Sequence, residues 1–196
     1  NLGLLYEKDD ILYDLFNNRI MFPICDLDGN TVGFSGRIYN NEETSKYINT
    51  KETEIFKKGK ILYNYNNAKD EIRRKKEIII CEGFMDVIRL HTIGIKNAVA
   101  LMGTSFTDEQ LEFIKKLRVN IILNLDMDDA GKDAIIRIGD SLNKQSIKSE
   151  VIFYEGAKDT DEFILKFGKE KFIEKYKDRI NFLDFKINYL KRNINT

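Results

Sequence analysis

Apolar residues in the second half of the chain form short, almost unbroken runs that alternate with amphipathic stretches. Such runs are typical of strands covered on both faces. The predicted strands lie at 77–81, 97–102, 119–125 and 149–154. The predicted helices lie between them, at about 85–92, 107–117 and 129–143. Repeated alternation of strand and helix predicts an α/β fold with a mostly parallel sheet.

The rest of the chain has a different pattern. The elements predicted before residue 77 are a short helix at about Asp9–Phe16, strands at 19–25 and 31–39, an extended piece at 46–50 and a polar helix at 66–76. The sequence DLDGN between the two strands is typical of a hairpin turn. Pro23 lies inside the first strand and favours an edge position, because proline cannot donate to a ladder. Residues 160–193 are predicted to be helical, with breaks at Gly168 and Asn181.

Composition narrows the class of protein. Hydrophobic residues make up 42% and charged residues 33% of the 196 residues, which indicates a globular chain. No apolar run approaches the length of a membrane span, and nothing at the start resembles a secretion signal. Cys25 and Cys81 lie in apolar runs and are predicted to be reduced core residues of a cytoplasmic protein. With one histidine and no C-x-x-C, a zinc site in this chain is not expected.

Charge is distributed unevenly, although the formal net charge is zero. Residues 37–76 contain eleven Lys/Arg against six Asp/Glu, a local charge of +5. A basic segment beside an acidic cluster is expected of a metal site that handles phosphate polymers. Solvated surface charge explains the composition about as well, so both interpretations stay open at this point.

Acidic residues follow three of the predicted strands. Glu82 follows the strand at 77–81, Asp126 and Asp128 follow the strand at 119–125, and Asp159 and Asp161 follow the strand at 149–154. The carboxyl ends of parallel strands meet at one rim of a sheet, where ligands collect. Two like charges about 4 Å apart repel by roughly 4 kcal/mol at an effective dielectric near 20. A hard divalent cation is the natural neutraliser, and the D-x-D spacing directs both side chains to one face.

Helix capping is the alternative explanation for the same residues. Asp128 and Asp129 stand where a helix is predicted to begin, and acids there stabilise a helix by about 0.3–1 kcal/mol. The same explanation applies to Asp161 and Glu162 at the start of their own predicted helix. Capping accounts for each pair separately, but not for acids after three strands at once.

Two stretches carry a family resemblance. CEGFMDVIRLHTIGIKNAVALMGTSFT (81–107) and LDMDDAG (125–131) resemble the Toprim domain of bacterial DNA primases of the DnaG type. Glu82–Gly83 match the strand–Glu–Gly motif, Asp126, Asp128, Ala130 and Gly131 match D-x-D-x-A-G, and KDTDEF (158–163) matches the last acidic segment. The resemblance extends upstream through NRIMFPICDLDGNTVGFSGRIY and KYINTKETEIFKKGKILYN, and covers about residues 17–185. This chain departs from the family at Met127, where glycine is usual, and at Thr160, where proline is usual.

The resemblance implies a set of functional residues. Glu82, Asp126 and Asp128 would be catalytic, with Glu82 either a metal ligand or a general base. The implied ligands for two Mg²⁺ or Mn²⁺ ions are Glu82, Asp126, Asp128, Asp159 and Asp161. The positions implied to face the DNA template or the incoming nucleotide are Arg19, Arg37, Lys46, Tyr47 and Lys58. Arginine suits bidentate phosphate contacts, lysine supplies point charges, and Tyr47 can stack on a base.

The implied fold is an α/β Toprim domain with a central parallel sheet flanked by helices, a basic β-rich N-terminal lobe and C-terminal helices. The division would be 1–76, 77–165 and 166–196. The implied function is synthesis of short RNA primers from ribonucleoside triphosphates on single-stranded DNA, by two-metal nucleotidyl transfer. Zinc and the contact with a replicative helicase are expected only in domains that this chain lacks. The alternatives are a non-catalytic fragment that binds metal or DNA, and another Toprim enzyme such as a nuclease.

Overall fold

The computed structural model describes residues 3–40, 45–103 and 106–194, and within them the chain forms three sheets. The strands are β1 (Leu5–Lys8), β2 (Ile11–Asp14), β3 (Arg19–Cys25), β4 (Thr31–Ile38), β5 (Tyr47–Asn49), β6 (Glu77–Cys81), β7 (Ala98–Ala100), β8 (Asn120–Asn124), β9 (Ser149–Val151) and β10 (Ile180–Asn181). The helices are α1 (Tyr65–Lys75), α2 (Phe84–Thr92), α3 (Asp108–Leu117), α4 (Asp129–Lys144), α5 (Thr160–Phe167), α6 (Lys169–Lys177) and α7 (Phe182–Ile194).

The first hairpin replaces a predicted helix. The helix expected at Asp9–Phe16 is wrong, because β1 and β2 pair antiparallel through this region. Asp9 and Asp10 both have positive φ, 52° and 60°, which is the conformation of a two-residue hairpin turn. Tyr6 and Tyr13 stack across the two strands with ring centroids 5.3 Å apart. An eight-residue stretch offers too little periodicity to separate a helix from a tight hairpin.

The three-stranded sheet of the N-terminal lobe has the order β3-β4-β5 and is antiparallel. The hairpin turn predicted at 26–30 is confirmed: the Asp26 carboxylate accepts hydrogen bonds from the backbone N–H groups of Asp28 and Asn30. The edge position predicted for Pro23 is also confirmed, because β3 is an outer strand. This sheet supplies Arg37 and Tyr47, which the family resemblance implies to face nucleic acid or nucleotide.

The central sheet confirms the predicted α/β fold. Its order is β10-β9-β8-β6-β7, in which β9, β8, β6 and β7 are parallel. The chain leaves β6 through α2 to β7, and then crosses back through α3 to β8 on the other side of β6. This reversal is a topological switch point, and it opens a crevice beyond the carboxyl ends of the two strands. The switch lies between β6 and β8. Glu82 follows β6 directly, and Asp126 lies two residues after the end of β8.

The C-terminal helices pack beside this sheet. The break predicted at Gly168 is confirmed, with φ 88° between α5 and α6. At the second predicted break the chain forms β10, which pairs antiparallel with β9. Buried Phe182 packs against α4 at Gly139. Within the described ranges, no helix is both long enough and apolar enough to cross a membrane.

Aromatic packing fixes the N-terminal lobe against the central sheet. Phe84, at the start of α2, stacks on Phe22 at 5.6 Å and meets the edge of Tyr63 at 4.5 Å. The backbone of Tyr63 exchanges two hydrogen bonds with Ala100 of β7. The lobe therefore faces the end of the sheet where the acidic residues lie. The division of the chain after residues 76 and 165 stays a prediction.

Candidate functional site

A cleft of about 440 Å³ lies between the carboxyl ends of β6 and β8 and the N-terminal lobe. Four of the five predicted acidic residues line it: Glu82, Asp126, Asp159 and Asp161. They come from three separate connections, after β6, after β8 and after β9. These four acidic residues therefore lie together, as expected from the positions where their strands end.

Asp126 is held in an unfavourable electrostatic environment. Its side chain is 17% exposed, and burial, followed by the charge of Glu82, raises the pKa of its carboxyl to about 6. The ammonium group of Lys158 lies 3.6 Å from Asp126 Oδ2 and lowers that pKa, but does not cancel the other effects. A buried carboxylate with acidic neighbours is stabilised by a bound cation.

Asp86 also lines the cleft, and the sequence prediction missed it. It lies on α2, one turn after Glu82, and is 6% exposed. Its carboxylate accepts a hydrogen bond from the backbone N–H of Asp161 at 3.3 Å. Burial, followed by the charge of Asp159, raises its pKa to about 7. The available signal was an acid in the first turn of an otherwise apolar helix that begins directly after Glu82–Gly83.

Asp128 is close enough for its charge to act on Asp126, but its side chain caps a helix. Its Oδ1 accepts a hydrogen bond from the N–H of Gly131 at 2.9 Å, which makes it the N-cap of α4. It is not among the described residues that line the cleft. The capping interpretation is therefore confirmed for Asp128, and its role as metal ligand stays a prediction.

The second acidic segment is held by its own contacts. Asp159 caps α5 by accepting the Glu162 N–H at 2.8 Å, and Asp161 accepts a hydrogen bond from Arg89 Nε at 2.6 Å. Thr160, which stands where the family usually has proline, is buried between these two acids. Its hydroxyl bonds to Asn124 of β8 and to the hydroxyl of Tyr154. The segment is thereby tied to the strand that precedes Asp126.

Met127 fits without unusual backbone geometry, although the family usually has glycine at its position. It is absent from the described non-glycine residues with positive φ, so a side chain is tolerated there. The Met127 side chain is buried in the core. Its N–H donates to the carbonyl of Lys158 at 2.6 Å, which joins the two acidic segments.

The donor set suits a hard cation, although the side chains do not yet enclose one. Within residues 3–40, 45–103 and 106–194, no three acidic, histidine or cysteine side chains are arranged to hold a metal ion directly. Several of the carboxylates are engaged instead by helix N-termini, by Arg89 or by Lys158. The acidic side chains of the cleft nevertheless offer oxygen ligands, and burial together with the neighbouring acids raises the pKa of Asp86 and Asp126. That chemistry fits Mg²⁺ or Mn²⁺.

The opposite wall of the cleft is basic and aromatic. Arg37, Lys46, Tyr47 and Lys58 all line it, as the sequence predicted for a surface that faces nucleic acid or nucleotide. The guanidinium of Arg37 lies 5.8 Å from the ring centroid of Tyr47. Burial lowers the pKa of Lys58. One cleft therefore combines an acidic floor with a cationic wall.

Arg19 is placed differently from the other four. Its guanidinium donates to the carbonyls of Gly36 at 3.1 Å and Ser45 at 2.9 Å. Arg19 is not among the described residues that line the cleft. These contacts brace the three-stranded sheet, and a direct role of Arg19 in binding stays a prediction.

The raised pKa values predict that the metal-free protein loses stability as pH rises. Asp86 and Asp126 have an ordinary pKa of 3.8, so between about pH 4 and 7 the unfolded chain has released protons that the native state retains. The free energy of unfolding should then fall across this window and level off above it. Thermal midpoints in a chelator from about pH 5 to 8 measure this. Asp86→Asn should flatten the slope, and a midpoint that rises over the same range would contradict the assignment.

A comparison with protein families identifies the general class of this chain. Residues 79–164 match the model of the Toprim-like family. This stretch contains most of β6, all of β7 to β9, the switch point and the acidic residues that line the cleft, so the class of protein is a Toprim protein.

The remaining matches are more specific. Residues 1–69 match the family "DNA primase catalytic core, N-terminal domain". The DNA primase of Staphylococcus aureus is 44% identical over 195 residues, which is 98% of this chain and 32% of that protein. The Aquifex aeolicus primase structure, with its zinc-binding and RNA polymerase domains, superposes with a TM-score of 0.87 at 30% identity, covering 99% of this chain and 48% of that one. A DnaG primase catalytic domain bound to single-stranded DNA has a TM-score of 0.86 at 33% identity, covering 98% and 61%.

The chain belongs to the DnaG-type DNA primases, and matches part of their catalytic core. It spans about a third of the length of the curated relatives it matches.

Proposed function

We propose that this chain performs nucleotidyl transfer in the synthesis of short RNA primers on a single-stranded DNA template. The observation that supports this most directly is the cleft itself, where acidic residues from three connections face Arg37, Lys46, Tyr47 and Lys58. The cations on one wall would bind the phosphates of a template and an incoming nucleotide. The acids on the floor would hold divalent cations close to the attacking 3′-hydroxyl. The DnaG relative bound to single-stranded DNA supports the choice of template.

The acids at the end of the sheet are proposed to hold two divalent cations, Mg²⁺ or Mn²⁺. The ligands would come from Glu82, Asp126, Asp128, Asp159 and Asp161, with Asp86 as an additional buried carboxylate in the same cleft. When bound, such ions neutralise phosphate charge and lower the pKa of a coordinated hydroxyl. For the chain, this would offset the burial and the repulsion from Glu82 that together raise the pKa of Asp126.

The chain's own residues would bind and orient the substrates. Arg37 and Lys46 would contact phosphates, and Lys58 would place a partly desolvated ammonium group near them. Tyr47, packed against Phe84 and Arg37, would stack on a base. Glu82 begins the connection after β6, next to Asp126. It would either bind the cation or accept the proton of the attacking 3′-hydroxyl. The same proposal includes action in the cytoplasm, a zinc site in another domain and contact with a helicase.

The test is primer synthesis by the full-length gene product with a single-stranded template, ribonucleoside triphosphates and Mn²⁺. Glu82→Gln should reduce formation of the first phosphodiester bond by about 10²-fold or more, because it removes a proton acceptor or a charged ligand. Affinity for the template should stay unchanged, since the cationic wall is intact. Glu109→Gln, an exposed acid at the start of α3, is the control and should have no effect. If the unaltered protein makes no product, the proposed function is wrong; if Glu82→Gln is fully active, Glu82 has no part in it.

A further inference from the structure

Lys158 is a cation placed on the acidic side of the cleft. It precedes Asp159 in the chain and lines the cleft together with Asp126, Asp159 and Asp161. The other described cations that line this cleft are Arg37, Lys46 and Lys58, which belong to the N-terminal lobe. Sequence analysis gave Lys158 no role.

The backbone of Lys158 is fixed while its side chain is not. Its carbonyl accepts the Met127 N–H at 2.6 Å, and its own N–H donates to Glu162 Oε2 at 2.9 Å. The side chain is 58% exposed, and its ammonium group lies 3.6 Å from Asp126 Oδ2. Direct charge-assisted hydrogen bonds measure about 2.7–2.9 Å, so this is a loose ion pair. A lysine held this way can change partner without moving the chain.

Arg89 shows the contrasting arrangement. It binds Asp161 at 2.6 Å, and its side chain is 28% exposed. It is not among the described residues that line the cleft. Arg89 therefore holds one acid from outside, whereas Lys158 stands inside the space that a nucleotide would enter.

We propose that Lys158 has two alternative partners: Asp126 while the acidic floor holds no divalent cation, and a phosphate group of the bound nucleotide once it does. This rests on the proposed function. A carboxylate that coordinates a divalent cation attracts an ammonium group 3.6 Å away less strongly, because its charge is partly neutralised. The same cation also repels the ammonium group. The nearest new anion in the cleft is then the nucleotide phosphate, which a lysine binds as a point charge. Lys158 thus competes with the cation and binds the nucleotide.

The experiment measures two affinities of the chain whose changes should have opposite signs. Lys158→Met removes the charge and keeps most of the length. Mn²⁺ binding, measured by calorimetry without nucleotide, should become about 2- to 5-fold tighter, because a partly exposed competing cation is lost. ATP binding at saturating Mn²⁺ should become about 5- to 20-fold weaker, because a charged phosphate contact is lost. A purely structural role would not move the two affinities in opposite directions.

Two further variants make the result specific. Lys158→Arg keeps the charge and should restore both affinities to within about twofold. Lys132→Met removes the same charge from α4, where Lys132 pairs with Asp129 outside the cleft, and should change neither affinity. If the unaltered chain binds neither Mn²⁺ nor ATP, the proposed function fails. If it binds both and Lys158→Met changes neither, or changes both in one direction, the role of Lys158 is overturned.

Discussion

Asp126→Asn is expected to weaken Mn²⁺ binding by at least about tenfold while making the metal-free protein more stable. The two effects share one cause. The Asp126 carboxylate lies among Glu82, Asp128 and Asp159, and its pKa of about 6 shows that its negative charge is unfavourable in the folded chain. An amide of the same shape removes that charge. The same change also removes a negatively charged oxygen ligand that would bind Mn²⁺.

The size of the stabilisation follows from the raised pKa. Solvent still reaches the carboxylate, so we expect about 1 kcal/mol at pH 8, reduced from the full value of the shift by screening. For a chain of this size that corresponds to a rise of roughly 2–4 °C in the thermal midpoint. Calorimetric Mn²⁺ titration and thermal unfolding in a chelator measure the two parts. Asp129→Asn is the control, because this neighbouring side chain is 95% exposed. Its Mn²⁺ affinity should not change, and its stability should fall slightly rather than rise, because an acid is lost from the first turn of α4. Equal Mn²⁺ affinity in Asp126→Asn and the unaltered chain would end the metal assignment.

Gly131→Ala is expected to lose both stability and Mn²⁺ binding. A Cβ at Gly131 would lie 2.1 Å from the carbonyl oxygen of Asp126 and 2.9 Å from its Cβ. These are mostly backbone atoms, which cannot rotate away. In a helix without this contact, the same change would stabilise by up to about 1 kcal/mol. Here α4 must shift relative to the loop that carries Asp126, at a cost of about 1–3 kcal/mol.

Gly139→Ala separates packing from site geometry. It lies two turns further along α4, and its Cβ would meet the ring of Phe182 at 2.1 Å. This variant should be destabilised to a similar degree, yet its Mn²⁺ affinity should stay normal because Asp126 is not displaced. Chemical denaturation and Mn²⁺ titration of both variants are the measurements. Unimpaired Mn²⁺ binding by Gly131→Ala would show that the close contact at Asp126 is not required for the site.

The periodicity of the chain was sufficient to predict most of the central sheet. The runs at β6 and β8 are apolar without alternation, as strands covered on both faces must be, and helices fall between the strands. The helix predicted at 107–117 is present as α3, and it begins with a capping box in which the Thr107 side chain accepts the Gln110 N–H. These signals are local, because a strand or a helix start is decided by residues within one or two turns. The prediction failed at the β1–β2 hairpin because the local pattern there was too short to distinguish a hairpin from a helix.

Strand-end positions predicted four of the five acids that line the cleft. Glu82, Asp126 and Asp159 follow different strands, and the rule that parallel strands end at one rim brings them into one cleft. The motif resemblance added the facing residues Arg37, Lys46, Tyr47 and Lys58. In this sense, the sequence by itself determined the fold class and the chemical character of the site.

Only the tertiary structure decided how each side chain is used. Asp128 caps α4, Arg19 binds carbonyl groups, Asp86 turns into the cleft and Lys158 pairs with Asp126. None of these follows from spacing, because each depends on side-chain direction and on partners far away in the chain. Burial and electrostatic repulsion are properties of the packed molecule, and therefore the raised pKa values of Asp86 and Asp126 exist only once the strands and helices have come together.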